Sequence, residues 1–430
     1  MVYHDYHTNG IVYLNLVFDI NHIPGELLPY VSILKNVLGY VDTENYSFGE
    51  LFNEINRQSG GINGTLSAFI HEEDETKNVI SYELRAKALE EQIPFVFSMI
   101  EEIVTRSKLE DEKRLYEILA QMKSRLQMAL PANGHSTAVT RAMSYFSESG
   151  DFSDKTGGIT FYRCIERLES HFEEEKAELI AMLKKIRSMI FCRENLLVSV
   201  TCDRNALEKL EEPLKQFGSC LKTEKVMYRV KNAEFSKKNE GFLSSSQVQY
   251  VAVAGNFKKA GLKYTGALRV LKVILSYDYL WIQLRVKGGA YGCMSGFSRN
   301  GSGYLVSYRD PNLRATLEIY RGTVDYLKNF AASDRDMLKY IIGTISDMDI
   351  PLTPFMAGLR SLSAYFTGIT EAQILQEREE VLSCTAADIR KLADYIQAIL
   401  DENAICVVGN EALLKKEEKL FATLEPLFQA

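Results

Sequence analysis

Arg285 and Tyr291 flank the run Val286-Lys287-Gly288-Gly289-Ala290. A permanent cation and a phenol are donors of the kind that stabilise negative charge developing on a carbonyl oxygen under attack. Paired glycines break a helix just past its end. The spacing therefore puts Arg285 at the end of a helix and Tyr291 just across the break, on one rim. A structural reading stands beside this one. A cation in the last helical turn also favours the helix dipole, and Arg57 holds the matching place in an earlier run, Arg57-Gln58-Ser59-Gly60-Gly61. Tyr291 has Asn63 as its counterpart there, so the phenol is the feature peculiar to the later run.

The remaining candidate groups assemble no complete chemistry. A catalytic metal needs about three protein ligands, commonly His with carboxylate. The 6 histidines are His4, His7, His22, His71, His135 and His171, and neither H-E-x-x-H nor H-x-x-E-H occurs. His171-Phe172-Glu173-Glu174-Glu175 lacks a second His and reads as a solvated helix face. His4-Asp5-Tyr6-His7 lies in a terminus expected to fray, and the histidines there read as incidental. The 7 cysteines (164, 192, 202, 220, 293, 384, 406) form no C-x-x-C pair, which fits reduced, mostly buried thiols. No metal ligand set and no cofactor site is expected in this chain. Gly288-Gly289-Ala290-Tyr291-Gly292 lacks the lysine and hydroxyl of a phosphate loop, and there is no G-x-S-x-G elbow.

Bulk composition sets the frame. A chain of 430 residues exceeds one hydrophobic core, so two or three domains are expected. A hydrophobic content of 46% with 25% charged residues is that of a globular protein. A net charge of -7 argues against a nucleic-acid partner. No apolar run approaches the roughly 20 residues that span a bilayer, so no membrane partner is expected. Residues 1–5 show neither the basic flank nor the apolar stretch of a secretory signal, and a cytoplasmic location is the expectation.

The elements that must position Arg285 and Tyr291 occur twice. Arg, the paired glycines, a third Gly, Ser and Phe recur at one offset, as Arg57, Gly60, Gly61, Gly64, Ser67, Phe69 and as Arg285, Gly288, Gly289, Gly292, Ser295, Phe297. Ser81-Tyr82 then matches Ser307-Tyr308, and Glu194-Asn195 and Glu402-Asn403 each precede an apolar run. We read two homologous domains, residues 1–222 and 246–430, joined by a polar linker at 223–245. Within each, strands are predicted at 11–18, by alternation and β-branched composition, and at 64–70, 79–84 and 196–200, and again at 292–297, 304–308 and 404–408. Helical spacing covers 27–38 and 313–330, the latter opened by Asp310-Pro311-Asn312. The fold class is α+β, each domain an antiparallel sheet covered by helices.

These residues carry a resemblance. Leu284 to Gly292 followed by Ser307-Tyr308-Arg309-Asp310-Pro311-Asn312-Leu313 resembles the C-terminal half of presequence proteases, zinc metallopeptidases of the pitrilysin and insulin-degrading-enzyme group. Thr8 to Leu14 with Gly60-Gly61-Ile62, Gly134-His135-Ser136-Thr137-Ala138 with Arg141-Ala142, and Asp349 to Pro354 extend it along the whole chain. The resemblance implies two halves closing around a chamber that admits unfolded peptides. The N-terminal half would hold zinc through an inverted motif, and this chain would supply Arg285 and Tyr291 to the bound substrate. That motif is absent here, so the chain alone is expected to be inactive, either a part of a longer protein or a subunit that pairs with a separate catalytic half. The alternative is a non-catalytic scaffold or docking subunit of the same superfamily. His135 fits the family's Gly-His pattern and reads as structural, in a segment away from the Arg/Tyr loop.

Overall fold

The computed structural model describes residues 1–223, 235, 236 and 238–429. The described residues hold two mixed sheets covered by helices, an α+β architecture. Strands are β1 (Val2–Asp5), β2 (Ile11–Asp19), β3 (Ile62–Phe69), β4 (Val79–Leu89), β5 (Leu196–Cys202), β6 (Glu240–Ser244), β7 (Tyr250–Asn256), β8 (Gly292–Phe297), β9 (Ser302–Tyr308), β10 (Ala404–Asn410) and β11 (Thr423–Pro426). The first sheet has the order β1-β5-β2-β4-β3 and the second β11-β6-β10-β7-β9-β8. The run β5-β2-β4-β3 thus matches β10-β7-β9-β8, antiparallel throughout in both. The internal duplication is present in the strand order itself.

The sheets differ from a purely antiparallel expectation at one edge. There β1 pairs parallel with β5, β6 parallel with β10, and β11 parallel with β6. These strands are short and carry no long alternating pattern, which is the signal that periodicity needs. The terminus expected to fray is strand β1. His4 is buried in it with Nε2 3.0 Å from Ser199 Oγ, and His7 Nδ1 lies 2.9 Å from Asp203 Oδ1. Pairing with β5 and these two contacts hold it.

The chain divides into two compact units, one of Met1–Arg125, Lys155–Asn232 and Leu352–Gly368, the other of Leu126–Asp154, Ala233–Pro351 and Ile369–Ala430. Of the linker expected at 223–245, residues 224–234 and 237 lie outside the described residues, and its end forms β6. Each unit includes a helix from the far part of the sequence. In the first unit the helix Pro354–Thr367 lies on β5 so closely that a Cβ at Gly358 would collide with Thr201 Oγ1. In the second, the helix Gly134–Met143 lies on β7, and a Cβ at Gly134 would run into the Tyr250 ring. Glycine is required at both points because backbone meets side chain there.

The second unit's core fills the opposite face of its sheet. Val251, Val253 and Leu305 point into it with Leu271, Ile274, Leu317, Tyr320 and Ile396. Alternation along the strands then turns Tyr250 and Tyr308 toward the helix Gly134–Met143, where the ring of His135 meets both. Burial of this kind stabilises by about 25 cal/mol per Å² of apolar surface and fixes where the strand ends emerge.

Candidate functional site

The site begins at a π-helical segment, Trp281–Lys287. Such wider turns are uncommon and occur mostly at functional positions. The segment closes with the Ala290 amide donating to the Leu284 carbonyl at 2.9 Å and the Gly289 amide to the Arg285 carbonyl at 3.1 Å. A side chain at Gly288 would stand 2.6 Å from the Leu284 carbonyl oxygen, and Gly289 has φ of +80°. Both glycines are therefore demanded by the turn that leads into β8.

Arg285 and Tyr291 meet across that turn. The Arg285 guanidinium donates from Nη1 to the Tyr291 carbonyl at 2.8 Å. It stacks 4.2 Å from the centre of the Trp281 ring and 5.3 Å from that of Tyr291. The Tyr291 amide is held by two carbonyls, Tyr308 at 3.0 Å and Arg309 at 3.2 Å, yet the residue is 63% exposed. Among the described residues its hydroxyl makes no hydrogen bond. The backbone of Tyr291 is thus anchored while its phenol faces solvent.

Behind Tyr291 lies a chain of rings. Tyr291 meets Tyr308 edge-on at 5.8 Å, and Tyr308 meets Tyr250 at 5.6 Å and His135 edge-on at 5.0 Å. His135 is therefore not away from the Arg/Tyr loop, because Tyr308 connects them. The helix that carries it belongs to the second unit, a pairing distant in sequence that local pattern cannot reveal. Burial pushes the imidazole pKa down, and among the described residues Nδ1 is buried without a hydrogen-bond partner. The ring packs against both Tyr250 and Tyr308.

The segment after β9 holds the turn in place. Asp310 is fully buried and pairs backbone to backbone with Gln249, at 2.8 and 2.9 Å. Its carboxylate accepts from Thr316 Oγ1 at 2.6 Å and from the Asn312 amide at 2.9 Å. Asn312 in turn donates from Nδ2 to the Gly288 carbonyl at 2.7 Å, which ties this segment to the Gly-Gly turn. Desolvation raises the Asp310 pKa above its ordinary value, only partly offset by those bonds. Between Tyr308 and Asp310, Arg309 adopts φ of +48°, a conformation side chains rarely take.

Among the described residues no three of His, Cys, Asp and Glu cluster so as to hold a metal ion. His4, His7, His22, His71, His135 and His171 are dispersed, and His22 and His171 contact backbone carbonyls of Met189 and Arg167. Among the described residues, no such set fits a zinc ion. No helix among the described residues is long and apolar enough to cross a membrane.

Two family models match the chain. One, over residues 1–168, describes the region associated with subfamily C of the M16 peptidases, and the other, "PreP C-terminal domain", covers residues 239–411. The chain is 37% identical over 428 residues to Protein HypA of Clostridium perfringens, covering 100% of this chain and 44% of that protein. It is 30% identical over 410 residues to Presequence protease 1, chloroplastic/mitochondrial, of Arabidopsis thaliana, covering 95% of this chain and 38% of that one. The chain is homologous to the presequence proteases. Presequence proteases and their relatives are metallopeptidases of the pitrilysin type, a zinc peptidase family. The chain spans less than half the length of these relatives. In fold it is similar to the peptidase M16 inactive domain from Pseudomonas fluorescens, with a TM-score of 0.65, 13% identity, and coverage of 95% of this chain and 94% of that one.

Trp281, Tyr250, Tyr308 and Arg309 join the site beyond the two residues expected from the sequence. The signal for Trp281 was available, since it lies one helical turn before Arg285 and is the only Trp in the chain. Tyr250 carried none, because its place depends on strand register.

Proposed function

We propose that this chain is the substrate-binding half of a two-half metalloendopeptidase that degrades unfolded peptides in a closed chamber. The metal site belongs to the other, N-terminal half, whether in the same longer chain or in a separate subunit. Arg285 and Tyr291 are the catalytic residues contributed from this side, and both act on the carbonyl of the bond being cut. The carrying observation is the pre-set donor pair, with Arg285 clamped between Trp281 and Tyr291 and the Tyr291 phenol exposed. Donors fixed before reaction need no reorganisation as charge develops, which is where such groups lower the barrier. A docking subunit without catalytic duty gains nothing from a free phenol on an anchored backbone.

The test is hydrolysis of a quenched fluorescent peptide by this chain, by an N-terminal half from the family, and by their mixture. Turnover in the mixture alone, lost in Tyr291→Phe while complex formation is retained, is the expected result. A mixture that assembles and turns over equally well with Tyr291→Phe would refute the role given to the phenol. Assembly with no turnover would favour the scaffold reading.

A further inference from the structure

Arg309 stands in the same group of rings as Tyr291 and has no part in the donor pair. Three observations about it converge. Its backbone is held at φ of +48° although it is not glycine, between Tyr308 and the fully buried, multiply hydrogen-bonded Asp310. Strain of this kind persists only where the surroundings impose it, and it gathers at ligand sites. Its guanidinium lies 5.6 Å from the centre of the Tyr308 ring, beside the Tyr250 hydroxyl, and Tyr308 in turn meets Tyr291. Among the described residues it has no carboxylate partner.

Unlike Arg321 and Arg335, which also have no carboxylate partner among the described residues, it is laid over an aromatic ring. Elsewhere in this unit Arg141 pairs with Asp154 and Glu240, Arg299 with Glu377, Arg314 with Glu417, and Arg378 with Asp349. Arg285 and Arg309, linked through Tyr291 and Tyr308, have no acid among the described residues. Two uncompensated cations, each laid on an aromatic face, form a preorganised anion-binding rim. Arg285 is engaged with the Tyr291 carbonyl, whereas Arg309 is an exposed residue bonded to the Tyr250 side chain. A planar fork matches a carboxylate with two parallel hydrogen bonds.

We propose that Arg309 is a specificity-determining residue that binds a carboxylate of the peptide substrate beside the Arg285/Tyr291 pair. The carboxylate comes from an Asp or Glu side chain or from the peptide's own C-terminus. This deepens the peptide-binding reading above and rests on it. A cation at this point gives the site a preference that the donor pair alone, aimed at a carbonyl common to every peptide, does not provide.

Fluorescence anisotropy of a labelled unfolded peptide tests it in three versions. One carries an internal Glu and an amidated end, one Gln with a free C-terminal carboxylate, and one Gln with an amidated end. This chain is expected to bind at least one acidic version about tenfold more tightly than the neutral one, the size of a charge-assisted hydrogen bond at an exposed site. The preferred version identifies the source of the carboxylate. Discrimination should vanish in Arg309→Gln, fall in Arg309→Lys, weaken with ionic strength, and survive in Tyr291→Phe. Arg309→Gly should abolish it with thermal stability unchanged or raised, since glycine takes a positive φ freely. Equal binding of all three versions, or an equal loss on all three in Arg309→Gln, overturns the assignment while leaving the peptide-binding reading intact. Failure of every version to bind refutes both.

Discussion

The two Gly-Gly turns use the same residue types to opposite ends. At Gly60-Gly61 the preceding helix, Phe48–Gln58, is a regular α-helix, and Arg57 closes on Glu54 of its own face at 2.5 Å. Strand β4 runs on past the turn, with the Gly60 amide bonded to the Lys87 carbonyl and the Lys87 side chain packed over the glycine. Glu83, which follows the Ser81-Tyr82 repeat, is fully buried and accepts from Arg85 at 2.8 Å and Asn15 at 2.7 Å. At Gly288-Gly289 the helix is π-helical, Arg285 lacks an acid, Asn63 is replaced by Tyr291, and β9 stops so that Arg309 turns outward. At the first turn Arg57 and Glu83 are paired, whereas at the second Arg285 and Arg309 have no acid among the described residues. A shared scaffold therefore does not mark a site; the charges it fails to compensate do.

The largest expected effect follows from that contrast. In an assembled two-half peptidase, Arg285→Gln should lower turnover by about 100- to 1,000-fold, as removal of an oxyanion donor does. Arg57→Gln should change it less than about twofold, since an exposed pair within one helix contributes little. Measured kcat for the two variants checks this, and equal effects would erase the distinction between the turns.

Stability should invert the order. Glu83→Ala strands the half-buried Arg85 guanidinium and the Asn15 amide, and should cost about 2–3 kcal/mol in urea unfolding. Arg309→Gln, at the position that follows the matching Ser-Tyr, should cost less than about 0.5 kcal/mol because it breaks no ion pair. A large loss at Arg309 would make it architectural and remove the contrast.

Much of this was legible from spacing. The repeat, the α+β class, the central strands and the Arg285/Tyr291 pair all rest on local pattern, and β2, β8 and β10 begin at Ile11, Gly292 and Ala404, where the sequence places them. What escaped depends on partners remote in sequence. The short strands β1, β6 and β11 are held by pairing and not by their own periodicity. His135 reaches Tyr308 because its helix lies on a sheet formed from residues beyond 239. The uncompensated state of Arg309 is a property of what surrounds it, and no count of charges along the chain can show it.

A smaller pair of effects probes the glycines. Gly61 and Gly289 have φ of +104° and +80°. Alanine at either should cost about 1 kcal/mol or somewhat more, through backbone strain. Only Gly289→Ala should also weaken peptide binding, because only that turn carries the exposed donors. Equal stability losses with a binding loss at one site alone would sharpen the comparison, whereas a binding loss at both would place ligand contacts on the first turn as well.

The smallest effect is a difference in sign between two aspartates. Asp310, in the second unit, has its pKa raised, chiefly by burial, so the folded state holds its proton more tightly than the unfolded state does. Its contribution to stability falls as pH rises from about 4, the ordinary aspartate value, through its higher folded value. Asp203, in the first unit, has its pKa lowered, first by the Gly10 amide and then by His7 and Thr8. Its contribution is present above about pH 4 and is lost as pH falls through the lower folded value. Relative to the wild type, Asp310→Asn should therefore gain stability as pH rises from about 3 to about 7, and Asp203→Asn should lose it over the same range. Urea midpoints at several pH values give both slopes. Slopes of the same sign would mean that the buried carboxylate anchoring the Arg309 turn is held as comfortably as the open one, and the cost assigned to building that turn would disappear.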